Sequence, residues 1–127
     1  MVEPLYNKVK DFAMEFHSHG DGNIDYLGLS VFENYGSAYA RNIIASEEEK
    51  LAAVSKYVDS ALLKEICNRI RVSLGRKYAD HYKGPFGVDM MIVEQNNKLL
   101  VDPCVEINLR RTMGHVAIAK WKVTQNM

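Results

Sequence analysis

The chain has 127 residues, and its 16 Lys and Arg residues balance its 16 Asp and Glu residues, so the formal net charge is zero. Hydrophobic residues make up 47% of the chain and charged residues 25%, which is typical of a folded protein and argues against disorder. A neutral chain lacks the basic stripe that drives nucleic-acid binding, and no apolar stretch approaches the roughly 18 residues of a membrane-spanning helix. We therefore expect a single domain over residues 1–127 that binds neither nucleic acid nor membrane.

The first part of the chain predicts strands. Val9–Phe16 and Ile24–Glu33 are predicted as two strands, and residues 17–23 between them are rich in types that tolerate positive φ, so a hairpin is expected. A third short strand is predicted at Tyr39–Ala45, after a loop around Asn34–Ser37.

Two helices are predicted next. The Ser46 hydroxyl can accept from the amide of Glu49, whose carboxylate can reach back, so this pair has the form of a capping box. A second helix is expected to start at Asp59-Ser60, and the apolar residues after it recur at helical spacing to about Asp80.

The last part of the chain predicts two more strands and a helix. The strands Phe86–Glu94 and Lys98–Leu109 are joined through Asn96-Asn97, and the helix begins near Thr112-Met113. The order β-β-β-α-α-β-β-α predicts an α+β fold, in which an antiparallel sheet has helices packed on one face.

The two cysteines, Cys67 and Cys104, lie in unlike contexts, one in a helical pattern and the other in a strand pattern. A secreted disulfide scaffold would contain more cysteine, and a structural zinc site would need paired Cys or His at short spacing. We therefore expect two reduced thiols in a cytoplasmic protein.

The second strand of the last hairpin carries polar residues on one face. Glu106, Asn108 and Arg110 alternate there with apolar residues, so their side chains share a face. Arg110 is suited to bind a phosphate or a carboxylate in bidentate fashion.

The two-residue loop sets the expected register of this hairpin. If Gln95 faces Lys98, Asp89 lies opposite Cys104 and has Glu106 as its diagonal neighbour on the same face, about 7–8 Å away by backbone. Two carboxylates and the nearby amide oxygen repel one another unless a cation lies between them, and such hard oxygens suit Mg²⁺ or Mn²⁺.

The same alternation also fits an exposed sheet face whose polar residues contact only water, and this is the commoner situation in an arbitrary hairpin. Pro103 adds a further alternative, because a proline in a strand can force a bulge that shifts the register. Spacing alone therefore leaves both a metal site and a solvated face open.

Three segments together have the features of a known family. Gly87-Val88-Asp89 lies on one predicted strand, Glu106-x-Asn108-x-Arg110 lies on the next, and Val2-Glu3-Pro4-Leu5 opens the chain. The first two segments resemble the metal-binding end of the ATP-grasp superfamily, and the third is similar to its hinge, where a Glu and nearby backbone groups bind adenine. The order of elements between these segments also fits, so the resemblance covers essentially the whole chain.

The resemblance implies that ATP, with Mg²⁺ or Mn²⁺, activates a small-molecule carboxylate as an acyl phosphate, which an amine or a thiol then attacks. Asp89, Glu106 and Asn108 match the metal ligands that bridge the β- and γ-phosphates. Arg110 matches a residue that binds a phosphate or the substrate carboxylate, and Arg41 falls near a phosphate-contacting cation.

The resemblance also implies the adenosine contacts. Glu3 would accept from the adenine amino group, and Leu5 would offer backbone groups to the ring. Asp11 lies where the family often places an acidic residue on the ribose hydroxyls.

Members of this superfamily hold ATP between two subdomains, whereas the resemblance implies that this chain begins at the hinge, and its sequence contains no Gly-rich phosphate loop. We therefore expect a C-terminal subdomain whose partner is the N-terminal subdomain of its own full-length protein, with the isolated chain inactive. The alternatives are a non-catalytic α+β binding module or a stand-alone remnant of the fold. A homodimer could also form through the surface that the other subdomain would cover.

The histidines are weak candidates for a site. His17 and His19 share a predicted strand face beside a turn, where two such residues are more often surface residues than metal ligands. His115 is expected near the phosphate end of the site, but a surface position in the first turn of the last helix explains it equally well.

Overall fold

The computed structural model describes residues 7–34, 40–78 and 82–125, and within those ranges the chain forms five strands and three helices. In chain order they are β1 (Asn7–Ser18), β2 (Ile24–Asn34), β3 (Ala40–Asn42), α1 (Glu47–Ser55), α2 (Ser60–Tyr78), β4 (Gly84–Gln95), β5 (Lys98–Asn108) and α3 (Met113–Gln125). The order of elements and the α+β class are the predicted ones. No helix in these ranges is long and apolar enough to cross a membrane.

The five strands form one open antiparallel sheet in the order β3-β2-β1-β4-β5. The central strand β1 pairs with its chain neighbour β2 and with the distant strand β4. As a result, Ala13 of β1 lies opposite Ser30 on one side and opposite Asp89 on the other. The pairing of β1 with β4 joins the two predicted hairpins into a single sheet.

One face of the sheet carries the hydrophobic core. Phe12, Met14 and Phe16 of β1 are buried there together, because alternate residues of a strand point to the same face. The helices α1 and α2 and the turn between them cover this face with buried side chains: Val54, Val58, Leu63, Ile66 and Leu74.

The opposite face, called here the polar face, carries Glu15 and Asp89 and is partly covered by the start of α3. Gly114 lies against the side chains of Glu15 and Ser30, and Thr112 lies against Gly87. The predicted packing of helices on one face therefore describes α1 and α2, whereas α3 adds cover on the other side.

The predicted helix starts are confirmed. The Glu49 N–H donates to Oγ of Ser46 at 3.1 Å, which is the Ser46 half of the capping box, and α1 begins immediately after Ser46. The Ala61 N–H donates to Oδ1 of Asp59 at 2.9 Å at the start of α2. The predicted end of α2 near Asp80 lies outside the described residues.

The turn of the β4–β5 hairpin is the predicted two-residue loop. Asn96-Asn97 have φ values of 53° and 62°, the left-handed conformation that a tight hairpin turn needs and asparagine tolerates. From Gln95 opposite Lys98 to Met91 opposite Asp102, the register is the predicted one.

Beyond these pairs the predicted register is wrong. Asp89 lies opposite Glu106 and not opposite Cys104, because residues 103–105 together oppose the single residue Met90. The bulge begins at a proline, which has no N–H to donate to the ladder. Since the slip amounts to two residues, the alternation of faces is kept, and the predicted common face of Asp89 and Glu106 is confirmed.

Candidate functional site

The three predicted metal residues lie together where β4 pairs with β5. Asp89 is directly opposite Glu106, and Asn108 lies further along the same face, opposite Gly87. The side-chain Nδ2 of Asn108 donates to Oδ2 of Asp89 at 3.2 Å. The register slip thus makes Asp89 and Glu106 direct neighbours, where the predicted register made them diagonal ones.

Asp89 is half-buried in surroundings that disfavour its negative charge. Burial raises the pKa of Asp89 above its ordinary value, the hydrogen bond from Asn108 acts against this, and the facing carboxylate of Glu106 raises the pKa further. A cation between Asp89 and Glu106 would offset this repulsion. The pair therefore has the electrostatic character of a cation site.

The donor set fits a hard divalent cation that keeps part of its water shell. Asp89 and Glu106 offer carboxylate oxygens, and Asn108 offers an amide oxygen. Among the described residues, no group of three or more His, Cys, Asp or Glu side chains is placed to hold a metal ion. Mg²⁺ commonly uses one or two carboxylates and completes its octahedron with water and phosphate oxygens, so a carboxylate pair suits that ion.

Arg110 and Asp11 border the pair. The Arg110 N–H, just past the end of β5, donates to the carbonyl of Asn108 at 2.9 Å, and the positive charge of Arg110 lowers the pKa of Asp89. Asp11 lies in β1 opposite Met91, and its negative charge raises the pKa of Asp89. Both residues are therefore within electrostatic range of Asp89, while their roles toward a nucleotide stay predictions.

Glu15, which the sequence analysis did not single out, is a buried carboxyl group beside this site. Its side chain is only 2% exposed, and it lies opposite Gly87 of β4 on the polar face. The Thr112 hydroxyl donates to Oε1 of Glu15 at 2.6 Å. Burial raises the pKa of Glu15 to about 7, against the lowering effect of the Thr112 bond. The group is therefore divided between its protonated and charged forms near neutral pH.

His115 lies next to Glu15, and its hydrogen bonds define its tautomer. The Thr112 N–H donates to Nδ1 of His115 at 3.0 Å, so Nδ1 carries no proton, and Nε2 is the donor to the Phe16 carbonyl at 3.0 Å. Burial lowers the pKa of His115, which favours this neutral ring. The surface position considered for His115 is therefore wrong, because the buried ring joins α3 to β1.

The remaining predicted residues are Glu3, Leu5 and Arg41. Glu3 and Leu5 lie outside the described residues. The backbone of Arg41 is in β3, three strand spacings from β4 and thus about 14 Å across the sheet, and its side chain is outside the described part. The structure groups the three predicted metal residues with Arg110 and leaves Arg41 near the far edge of the sheet.

A signal for Glu15 was present in the sequence but incomplete. Asp11, Ala13 and Glu15 alternate in a predicted strand and must share a face. That face meets Asp89 only because β1 pairs with β4, and nothing in the local pattern indicates this long-range pairing.

Comparisons of the chain with models of protein families, with curated proteins and with solved structures give no match. The facing carboxylates of Asp89 and Glu106 are the feature of the polar face with the most specific chemistry.

Proposed function

We propose that the chain is the ATP- and Mg²⁺-binding half of a carboxylate ligase of the ATP-grasp type. The observation that carries the proposal is the position of Asp89 directly opposite Glu106, with Asn108 bonded to Asp89 on the same face. These residues belong to the segments Gly87-Val88-Asp89 and Glu106-x-Asn108-x-Arg110, which resemble that superfamily. The proposed ligase is cytoplasmic, which agrees with the free thiol of Cys67.

Each residue of the site has a distinct task in this proposal. Asp89 and Glu106 hold the divalent cation through their carboxylate oxygens, and Asn108 adds its amide oxygen. When bound, Mg²⁺ or Mn²⁺ supplies positive charge that offsets the negative charge developing in phosphoryl transfer. Arg110, which is exposed beyond the end of β5, binds a phosphate or the substrate carboxylate through its planar guanidinium.

In the proposed reaction a small-molecule carboxylate takes the γ-phosphoryl group of ATP, which releases ADP and leaves an acyl phosphate. An amine or a thiol then attacks the acyl carbon, loses its proton and displaces inorganic phosphate. The remaining phosphate contacts come from the N-terminal subdomain of the full-length protein. We therefore expect this chain alone to bind ATP weakly, because each charge-assisted contact that is missing costs about 1.5–3 kcal/mol.

Binding of Mn²⁺ to the chain itself tests the metal site. The paramagnetic ion broadens the NMR signals of nearby residues, and we expect the strongest broadening at Asp89, Glu106 and Asn108. Glu106→Gln should weaken Mn²⁺ binding about tenfold or more, because it removes one charged ligand. Glu94→Gln, the same change at an exposed position near the other end of β4, should leave Mn²⁺ binding unchanged.

Two outcomes of the Mn²⁺ titration would contradict the metal site: broadening centred on other residues, or equal affinity in the wild-type and Glu106→Gln chains.

Turnover of ATP tests the ligase assignment separately. In a protein that contains both subdomains, Glu106→Gln and Asn108→Ala should each abolish Mg-ATP turnover and leave the fold intact. A metal site without any turnover would favour the non-catalytic α+β binding module.

A further inference from the structure

A cavity lies on the helix-covered face of the sheet, away from the polar face and the proposed metal site. Its volume is about 440 Å³, and it is bordered by strand β2 and by the helices α1 and α2. Met14, Leu29, Leu51 and Leu63 supply apolar lining. Ligand cavities have volumes of about 300–1,000 Å³ and are mostly apolar, with a few polar groups at fixed positions, so this cavity has suitable size and chemistry.

Polar residues of α2 border the cavity on one side. Lys64, Asn68 and Arg71 have the spacing i, i+4 and i+7, which places them on one face of the helix. The Nε of Arg71 donates to the carbonyl of Ile24 at 2.8 Å, which holds the guanidinium at this rim. Within the described part of the chain, the side chains of Lys64 and Asn68 have no hydrogen-bond or ion-pair partner.

The carboxylate that lines the same cavity is already paired. Glu47 accepts from the Tyr26 hydroxyl at 2.6 Å and from the Leu29 N–H at 2.8 Å, and it lies 3.8 Å from Nζ of Lys50. These contacts offset the negative charge of Glu47. The rim on α2 therefore keeps the positive charge of Lys64, while that of Arg71 lies within electrostatic range of the Asp25 carboxylate.

An open cleft extends the positive rim along α2. The cleft has a volume of about 670 Å³ and shares Asn68 and Arg71 with the cavity, and Arg76 adds another cation. Its other wall includes Gly22-Asn23 of the β1–β2 turn. A negative group that enters between α2 and β2 therefore meets several cations on one helix.

We propose that the cavity binds a small organic carboxylate with an apolar chain. The chain lies against the leucine and methionine side chains, and the carboxylate lies at the rim between Lys64 and Arg71. A free phosphate ion would contact only the polar rim and leave the apolar lining unfilled, and the cationic rim repels an amine. Because this cavity and Asp89 are on opposite faces of the sheet, the proposal does not depend on the proposed ligase function.

Octanoate, 1-octanol and octylammonium have similar apolar chains and different head groups, so titration calorimetry with these probes separates the two parts of the site. We expect octanoate to bind about tenfold more tightly than 1-octanol, since a hydrogen bond to a charged group contributes about 1.5–3 kcal/mol. Octylammonium should bind most weakly. Affinity for 1-octanol equal to that for octanoate, or no binding of octanoate at millimolar concentration, would overturn the proposal.

Two variants and one control variant test whether the probe binds in the cavity. Lys64→Glu changes an exposed residue, so it should leave the core intact and weaken octanoate binding about tenfold or more. Lys120→Glu makes the same change of charge at an exposed position of α3 and should leave octanoate binding unchanged. Cys67→Phe adds a ring at a half-buried residue of the lining and should abolish binding of octanoate and 1-octanol alike.

The amide NMR spectrum of each variant shows whether it is folded, and if Cys67→Phe does not fold, Lys64→Glu alone decides the question. Octanoate affinity that survives Lys64→Glu, or that falls equally in Lys120→Glu, would show that the probe does not bind at this rim.

Discussion

Thr112 and Glu15 lie 97 positions apart in the chain, and the Thr112 hydroxyl donates a 2.6 Å hydrogen bond to the buried carboxyl group of Glu15. The bond joins the start of α3 to the central strand β1. Two glycines leave the space that this carboxyl group occupies, because a Cβ at Gly87 or at Gly114 would overlap one of its oxygens. A buried titratable group is thereby held next to the proposed metal residues.

The raised pKa of Glu15 predicts that the chain loses stability as the pH rises towards neutrality. The pKa of Glu15 is raised from 4.5 to about 7, so between these pH values the folded chain holds a proton that the unfolded chain has lost. The stability from this proton is complete below pH 4.5 and is lost as the pH rises through about 7. Glu15→Gln removes the titration and keeps the size of the side chain. We therefore expect the free energy of unfolding of the variant, relative to that of the wild type, to rise by about 3 kcal/mol between acidic and mildly alkaline pH.

Urea unfolding at pH 4.5 and pH 8 measures this difference in the free energy of unfolding. Glu94→Gln is the matched control, because Glu94 is an exposed carboxyl group on β4. The free energy of unfolding of this variant should differ from that of the wild type by nearly the same amount at both pH values. If the wild type loses no stability relative to Glu15→Gln between the two pH values, the raised pKa of Glu15 is wrong.

The parts of the fold that could be predicted from the sequence depend on short-range signals. Ser46 predicted the start of α1 and Asn96-Asn97 predicted the β4–β5 turn, because each acts through atoms within a few residues. The common face of Asp89 and Glu106 was predictable for a similar reason. Strand alternation is local, and the bulge displaced the register by two residues, which preserves the face.

Long-range relationships explain what was missed. In the sequence Glu15 stands between the apolar residues Met14 and Phe16, but its place opposite Gly87 follows from the pairing of β1 with β4. Thr112 and His115 reach Glu15 from the other end of the chain. Such contacts depend on how the whole sheet assembles, and no local spacing encodes them.

Gly114 is expected to be an exception to the usual preference of helices for alanine. A Gly→Ala change within a helix normally stabilises a protein by about 1 kcal/mol. At Gly114, however, the added methyl group would overlap Oε2 of Glu15 and lie 2.7 Å from Oγ of Ser30. We therefore expect Gly114→Ala to lower the free energy of unfolding by roughly 1–3 kcal/mol, measured by urea denaturation.

Two comparisons isolate the cause of the Gly114→Ala effect. Ala52→Gly, at an exposed position in α1, measures helix propensity without such an overlap and should cost about 1 kcal/mol. In a double-mutant cycle, Glu15→Ala should reduce the cost of Gly114→Ala, because it removes the Glu15 atoms that the methyl group would meet and leaves only Oγ of Ser30. An unchanged cost would show that the Glu15 carboxyl group is not the obstacle.

The facing carboxylates of Asp89 and Glu106 predict a conflict between stability and metal binding. Like charges directly opposite each other on paired strands are destabilising, and cross-strand pairs contribute about 0.2–1 kcal/mol. In the presence of a chelator, Glu106→Gln should therefore raise the melting temperature, whereas Glu94→Gln, which lies opposite Leu99, should not. Saturating Mn²⁺ should give the wild type the higher melting temperature of the two. An ion that binds only the folded chain stabilises it more when it binds more tightly, and the wild type has the stronger site. If the chelated Glu106→Gln chain melts no higher than the wild type, the two carboxylates do not repel each other enough to require a cation.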